Sequence, residues 1–258
     1  MTVSSTLATR DLRASKVPNV GLGFWSIKLL STAMGEATSD FLVHHFWPPW
    51  VVLVAASVFV ASLAWQFTRP RYQTLPYWFT VVMVSVFGTM CADVAHVGLG
   101  IAYSISTTIL ALGLALIFVL WHRVEGTLSI HSITTTRREL FYWAAITTTF
   151  ALGTAAGDMT AVTLRQGYFS SGVLFTALFV LPGLAYRLAR LNPILAFWVS
   201  YVLTRPLGAS YADWLGVSRA RGGLNWGPGN VALGLSLAII VGIAVLARGE
   251  RNTTRDHR

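Results

Sequence analysis

The chain has 258 residues, of which 54% are hydrophobic and only 11% are charged, and its mean hydropathy is +0.60. This composition excludes an ordinary soluble domain and is typical of a protein that crosses the membrane several times. The net charge of +9 would fit a nucleic-acid partner, but membrane topology explains it better, because the basic residues lie mainly in segments on one side of the spans. A single cysteine, Cys91, excludes an intrachain disulfide and a multi-cysteine metal site.

Eight apolar stretches are long enough, or nearly so, to cross a hydrocarbon core of about 30 Å. They lie near 20–42, 49–67, 76–97, 99–121, 139–163, 169–189, 192–215 and 228–247. The first is too long for a signal-peptide core and contains charged residues, so we expect a retained span. The sequence therefore predicts an all-α membrane protein with a tail at 1–19, a single transmembrane domain at 20–248 and a second tail at 249–258.

The basic residues indicate how the spans are oriented. With the N-terminus inside, the cytoplasmic segments hold 14 of the 19 Lys and Arg residues. The outer loops hold only Arg165, Arg219 and Arg221. This asymmetry is a strong positive-inside signal. It predicts a multi-pass membrane protein with both termini cytoplasmic, the lipid bilayer as its surroundings and no nucleic-acid partner.

One motif occurs four times: a Trp, nine residues, a Gly, three residues, a small residue and an Asp. The copies are Trp25/Gly35/Ser39/Asp40, Trp78/Gly88/Ala92/Asp93, Trp143/Gly153/Gly157/Asp158 and Trp198/Gly208/Ala212/Asp213. The chain has six aspartates, and the other two, Asp11 and Asp256, lie in the polar tails. Every Asp of the apolar body thus occupies the same place in a repeat, and such a repeat determines the architecture.

Each repeat fits two spans, so all four repeats enter the membrane in the same direction. We place them at about 20–70, 71–122, 137–190 and 191–248, as four parallel two-helix units of a pseudo-symmetric bundle. The odd-numbered spans carry the motif and are expected at the centre, while the even-numbered spans face lipid. The small-xxx-small spacing predicts close helix packing at the motif glycines. These are Gly35, Gly88, Gly153 and Gly208.

A carboxylate inside a span costs several kcal/mol unless it is solvated, paired or protonated, so such residues are functional candidates. Each motif Asp follows its Trp by 15 residues, or about 22 Å of helix. If the tryptophans lie near the cytoplasmic interface, the aspartates line an outward-facing vestibule. We therefore interpret Asp40, Asp93, Asp158 and Asp213 as a cation site. The alternative is that each Asp bonds a neighbouring repeat and ties the bundle together.

Three further charged residues lie inside the spans. Glu36 directly follows the first motif glycine and is a candidate additional ligand. Lys28 and Arg205 are the only basic residues away from the span ends, and they are candidates either as partners of Glu36 or an Asp, or as gating charges. Pro206 predicts a kink or break in the seventh span, because proline removes a backbone donor.

Two histidines share a helical face with a motif aspartate. His44 follows Asp40 by four residues and His96 follows Asp93 by three. This spacing suits metal ligands, so a divalent metal ion is a possible substrate or ligand. The alternative is that both are interfacial histidines at span ends.

The segments KVPNVGLGFWSIKLLSTAMGEATSDFLV and RPLGASYADWLG carry a resemblance to a known group of proteins. With the repeated W…G…D signature, the chain resembles a bacterial multi-pass membrane family built from tandem repeats of unknown function, over about residues 16–248. The resemblance implies an eight-span inner-membrane protein. It implies no substrate and no catalytic residue.

These observations favour a transporter or channel for a small cation, either a proton or a divalent metal ion. A structural or partner-binding membrane protein is the alternative. A membrane-embedded enzyme or cofactor binder is less favoured, because the chain has no P-loop, GxSxG, HExxH or CxxCH motif.

Overall fold

The computed structural model describes residues 15–255, and this part of the chain is helical, with no strand. Eight long helices follow one another. They are α1 (Leu22–His45), α2 (Pro48–Phe67), α3 (Thr74–Asp93), α4 (Tyr103–Glu125), α5 (Thr136–Asp158), α6 (Tyr168–Ala189), α7 (Pro193–Gly216) and α8 (Pro228–Arg255). Each predicted apolar stretch corresponds to one of these helices, which confirms the all-α class.

Local chemistry accounts for several helix ends. Helix α7 begins where the Asn192 side chain accepts hydrogen bonds from the backbone N–H groups of Ile194 and Leu195. Helix α4 ends at Gly126, whose φ of +71° is the left-handed conformation that favours glycine. Helices α3 and α5 continue into π turns at Val94–Gly98 and Met159–Thr163, directly after their motif aspartates.

The odd-numbered helices pack against one another in chain order. Helix α1 packs on α3, α3 on α5, α5 on α7, and α7 on α1, so the four form a closed ring. Contacts at both ends of the first pair show that these neighbours run parallel: Phe24 packs on Trp78 near their starts, and Ser39 bonds Asp93 near their ends. We call the end of the ring where these helices start the amino end, and the opposite end the carboxyl end.

The even-numbered helices lie outside this ring. Each packs mainly on the odd helix that follows it: α2 on α3, α4 on α5, α6 on α7, and α8 on α1. Their apolar windows are only 17–28% buried, against 56% for α3. The outer surfaces of these helices are rich in exposed large apolar side chains, such as Leu112, Leu181 and Val241. Such a surface is compatible with lipid rather than water.

Five helices are long and apolar enough to cross a membrane: α2, α3, α4, α6 and α8. The protein is therefore a membrane protein. Helices α1, α5 and α7 fall outside this group, although they are 23 or 24 residues long. They carry the buried charged side chains of the ring, namely Lys28, Glu36, Glu139, Arg205 and Asp213.

The structure differs from the predicted boundaries at both ends of the transmembrane domain. Ser15, Lys16 and Val17 belong to the predicted tail at 1–19, but they are buried against the amino end of the bundle. Helix α8 runs to Arg255, beyond the predicted start of the second tail at 249. Most of the first tail, 1–14, and residues 256–258 lie outside the described residues. Helix α7 continues through Pro206, so the break considered at that position is absent.

Candidate functional site

The motif tryptophans form part of an aromatic layer at the amino end of the ring. Trp78, Trp143 and Trp198 are 0%, 2% and 4% exposed. Trp78 packs edge to face on Tyr77, and Trp143 does the same on Tyr142. We expected the tryptophans at a membrane interface, but these three are buried within the protein, because the parallel ring brings equivalent residues of the four helices together.

The motif glycines lie where neighbouring ring helices touch. A Cβ atom added to Gly88 would lie 2.7 Å from the Cβ of Phe150 on α5. The other three glycines meet the next ring helix in the same way. The pairs are Gly35 with Ser85, Gly153 with Arg205, and Gly208 with Thr32. Each partner precedes the next motif glycine by three residues, so one contact is repeated around the ring.

Arg205 lies at the centre of the ring and is 0% exposed. Its Nη2 atom lies 2.5 Å from Glu36 Oε2 on α1 and donates to Thr154 Oγ1 on α5 at 2.7 Å. The same nitrogen donates to Thr89 Oγ1 on α3. Nη1 donates to the Thr32 carbonyl of α1 at 3.0 Å. One guanidinium thus bonds all three other ring helices. Of the two roles predicted for Arg205, the structure shows the pairing with Glu36.

The residue after each motif glycine faces this centre in three of the four repeats. These residues are Glu36, Thr89 and Thr154, and the fourth repeat has Ala209. Sequence reasoning identified Glu36 but missed the two threonines. The signal was available, since a polar residue follows the glycine in three aligned repeats. We call Thr32, Glu36, Thr89, Thr154 and Arg205 the central polar cluster.

The four motif aspartates lie toward the carboxyl end and face a common region. Each interacts electrostatically with Glu36 and with at least one other motif aspartate. Asp213 is buried, whereas the other three are partly exposed. Asp93 accepts a hydrogen bond from Ser39 Oγ at 3.3 Å, which joins α1 to α3. We call these residues the aspartate layer: Asp40, Asp93, Asp158 and Asp213.

The candidate metal ligands do not converge. His44 Nδ1 lies 2.6 Å from the carbonyl oxygen of Asp40. His96 Nδ1 lies 3.0 Å from the Ile101 carbonyl, and its Nε2 lies 3.4 Å from Ser106 Oγ. Within the described part of the chain, no group of three or more His, Cys, Asp and Glu side chains is arranged to hold a metal ion. The geometry thus offers no ready-made metal centre.

Lys28 occupies the level between the aromatic layer and the central polar cluster. Its side chain is 1% exposed, and Nζ lies 3.9 Å from the ring centroid of Phe150 and 4.4 Å from that of Tyr201. Nζ has no hydrogen-bond partner among the described residues. Two aromatic faces are therefore the main stabilising contacts of this ammonium group.

Sequence reasoning also missed a buried ion pair at the amino end. Lys16 Nζ lies 2.6 Å from Glu139 Oε2, and Gln66 donates to the other carboxylate oxygen at 2.9 Å. The backbone of Lys16 donates to the Ile133 carbonyl at 2.8 Å. Lys16 lies in the segment predicted as the first tail, but the structure buries it, and its pair with Glu139 offsets the cost of burying the two charges.

Comparison with known proteins agrees with the repeat seen in this geometry. A family model described as "Repeat of Unknown Function (DUF347)" matches residues 76–127, 141–191 and 196–252, which together are more than half of the chain. The chain belongs to the DUF347 repeat family. The resemblance stated from the repeated motif is thereby confirmed. No curated protein and no solved structure matches the chain.

The DUF347 repeats coincide with pairs of helices. The three matched segments correspond to α3 with α4, α5 with α6, and α7 with α8. Helices α1 and α2 precede the first match, although α1 carries the same motif and closes the ring. The DUF347 description assigns no activity, so a functional hypothesis depends on the side chains inside the ring.

Proposed function

We propose that this protein transports or conducts a small cation, with the proton favoured, through the centre of an eight-span, pseudo-fourfold ring. In this proposal both termini are cytoplasmic, as the distribution of basic residues indicates. The aspartate layer then opens outward and collects the cation. The observation that carries the proposal is the stacking of an aspartate layer above a buried Glu36–Arg205 pair on one ring axis.

The closed ring supports the fourfold arrangement. One glycine contact recurs at all four odd-helix interfaces, and one packing order relates each even helix to the next odd helix. Helices α1, α5 and α7 are shielded by the apolar helices around them, so they need not be apolar themselves. Polar residues that face a bundle interior are the usual elements of ion pathways in membranes.

The central polar cluster would act as the gate. In the paired state the Arg205 guanidinium blocks the axis with a positive charge, and a cation from the aspartate layer cannot pass. Protonation of Glu36 would remove the charge that holds Arg205 in place and weaken the pair. Lys28 lies on the amino-terminal side of this pair and, when protonated, adds a second positive charge there. A proton is favoured over a divalent metal ion because the described residues hold no ready-made metal centre.

A structural role is the second candidate, and one observation favours it. Arg205 bonds all three other ring helices, so in this role it ties the four ring helices together. In that case the aspartates also tie helices, as Ser39 and Asp93 do. The two candidate functions predict different effects when one motif aspartate is removed. A structural role predicts lower stability, whereas a transport role predicts lower cation flux.

The test is proton flux into liposomes that contain the purified chain, measured with an enclosed pH dye under an imposed potential. Asp40→Asn, Asp93→Asn, Asp158→Asn and Asp213→Asn are compared with wild type, and melting temperatures are recorded in parallel. Asp11→Asn and Asp256→Asn are matched controls, because they remove the same charge from the polar tails.

We expect the four motif variants to lose most of the flux while they keep a melting temperature near wild type, and the two tail variants to retain both. A wild-type chain with no flux of protons or of divalent ions would refute the proposal. Parallel loss of stability in all four motif variants, with unchanged flux per folded molecule, would favour the structural role.

A further inference from the structure

A large cavity opens at the amino end of the ring, far from the aspartate layer along the same helices. Its volume is about 940 Å³. Its walls are the segment 15–19, the start of α1, the end of α2, the start of α3 with the preceding loop, and Leu246 of α8. We call it the amino-end cavity. No part of the proposed cation pathway described above uses it.

Two helices begin at this cavity without a side-chain cap. Gly21 precedes α1 and Gln73 precedes α3, and neither provides a capping hydrogen bond. The other two ring helices, α5 and α7, are capped by Thr135 and Asn192. The first N–H groups of a helix have no partner within it, and they carry the positive end of the helix dipole. Two uncapped N-termini at one cavity favour an anion.

Two buried side chains that line the cavity have polar atoms without partners. Thr74 is 4% exposed and Trp78 is 0% exposed. Thr74 Oγ1 and Trp78 Nε1 have no hydrogen-bond partner among the described residues. An indole N–H can only donate, and a buried donor without an acceptor costs about 1–3 kcal/mol. An acceptor supplied by a ligand would remove this cost.

The charged residues that line the cavity also favour an anion. Arg71 lines it, and none of the described residues that line it is Asp or Glu. Among the described residues, Glu139 is the carboxylate that contacts the adjoining segment, and it is already paired with Lys16. The apolar rings of Phe24 and Trp65 complete the wall beside the outer helices α2 and α8.

We propose that the amino-end cavity is a binding site for a phosphate-type anion, held by Arg71, Thr74, Trp78 and the N-termini of α1 and α3. Phosphate oxygens accept from guanidinium, hydroxyl, indole and backbone donors, and these are the groups present. The phosphate group comes either from a free phosphate compound or from the headgroup of an anionic phospholipid, because the cavity adjoins helices with lipid-facing surfaces.

The experiment uses the full chain, purified in a neutral detergent. Its melting temperature is measured against inorganic phosphate, with sodium chloride at matched ionic strength as the reference. It is measured again in nanodiscs of phosphatidylcholine with and without phosphatidylglycerol. The variants are Arg71→Gln and Thr74→Val. Arg123→Gln is the matched control, since Arg123 is an exposed base at the end of α4 that does not line the cavity.

We expect stabilisation of wild type and of the Arg123→Gln chain that saturates with phosphate or with phosphatidylglycerol. Arg71→Gln and Thr74→Val should each raise the Kd about tenfold, which corresponds to about 1.4 kcal/mol. Response to inorganic phosphate would identify a free phosphate compound as the source, and response to phosphatidylglycerol alone would identify the headgroup. No stabilisation by either, or equal responses of all variants, would overturn the proposal. Because this experiment does not measure proton flux, the anion-site proposal can fail while the transport proposal holds, and the reverse is also true.

Discussion

Single residues determine how closely the ring helices approach. At Gly35 the helix backbone of α1 lies directly on the Ser85 side chain of α3, whose hydroxyl donates to the Ser31 carbonyl at 2.7 Å. Any side chain at this position would push the two helices apart and lengthen that bond. The same sequence contains Gly113 in α4, around which a Cβ atom would meet nothing within 4 Å. Substitution of these two glycines therefore distinguishes the effect of helix packing, at Gly35, from the effect of intrinsic helix propensity, at Gly113.

We predict that Gly35→Ala lowers the free energy of unfolding by about 1–3 kcal/mol, because a close-packed contact becomes overfilled. Gly113→Ala should raise it by about 0.5–1 kcal/mol, since alanine has the higher helix propensity and no neighbour is displaced. Denaturation of both purified variants in the same detergent, followed by tryptophan fluorescence, measures the difference. Equal stability of Gly35→Ala and wild type would show that α1 and α3 separate without cost.

At the scale of the element, the segment before α1 acts as a strap across the amino end. Its backbone bonds two neighbours: Lys16 N–H donates to Ile133, and the Ser15 carbonyl accepts from the Tyr72 N–H at 2.9 Å. The Lys16 side chain then reaches Glu139 in the first turn of α5. The strap therefore joins the loop before α3 to the linker before α5.

We predict that Lys16→Met destabilises the protein by about 3–5 kcal/mol, because it leaves the Glu139 carboxylate buried without its charge partner. The double variant Lys16→Met/Glu139→Gln should recover much of this loss, since both charges are then absent. Melting temperatures of wild type, both single variants and the double variant complete the cycle. A double variant no more stable than Lys16→Met would show that the loss does not come from an unpaired Glu139 carboxylate.

Elements with strong sequence signals were predictable, and contacts between distant residues were not. The eight apolar stretches give the eight helices within a few residues, except that α8 continues to Arg255, and the motif separates odd from even helices. The Glu139 pair depends on two residues 123 positions apart, and no local pattern links them. The partners of Arg205 likewise come from three other helices, so only the ring geometry brings them together.

At the scale of the whole molecule, the packing order makes every repeat depend on the next. Helix α2 leaves the first repeat to cover α3 of the second, and α8 returns to cover α1. A two-helix repeat on its own would therefore lack the outer helix that covers its ring helix. The smallest self-supporting unit is the closed ring, and two-repeat halves each leave two open interfaces.

We predict that the chain divided after Gly126 assembles from two co-expressed pieces, 1–126 and 127–258, because all four glycine contacts can still form. Each piece alone should be degraded or aggregate, since its open interfaces expose Glu36 or Arg205 without its charge partner. A tag on the first piece and recovery of the second by affinity purification measures assembly.

Gly208→Leu in the second piece should abolish recovery, because it blocks the contact of α7 with Thr32 on α1. Gly183→Leu, at a glycine of α6 with open space around it, is the matched control and should leave recovery unchanged. Stable purification of either piece alone would show that the ring is not the cooperative unit.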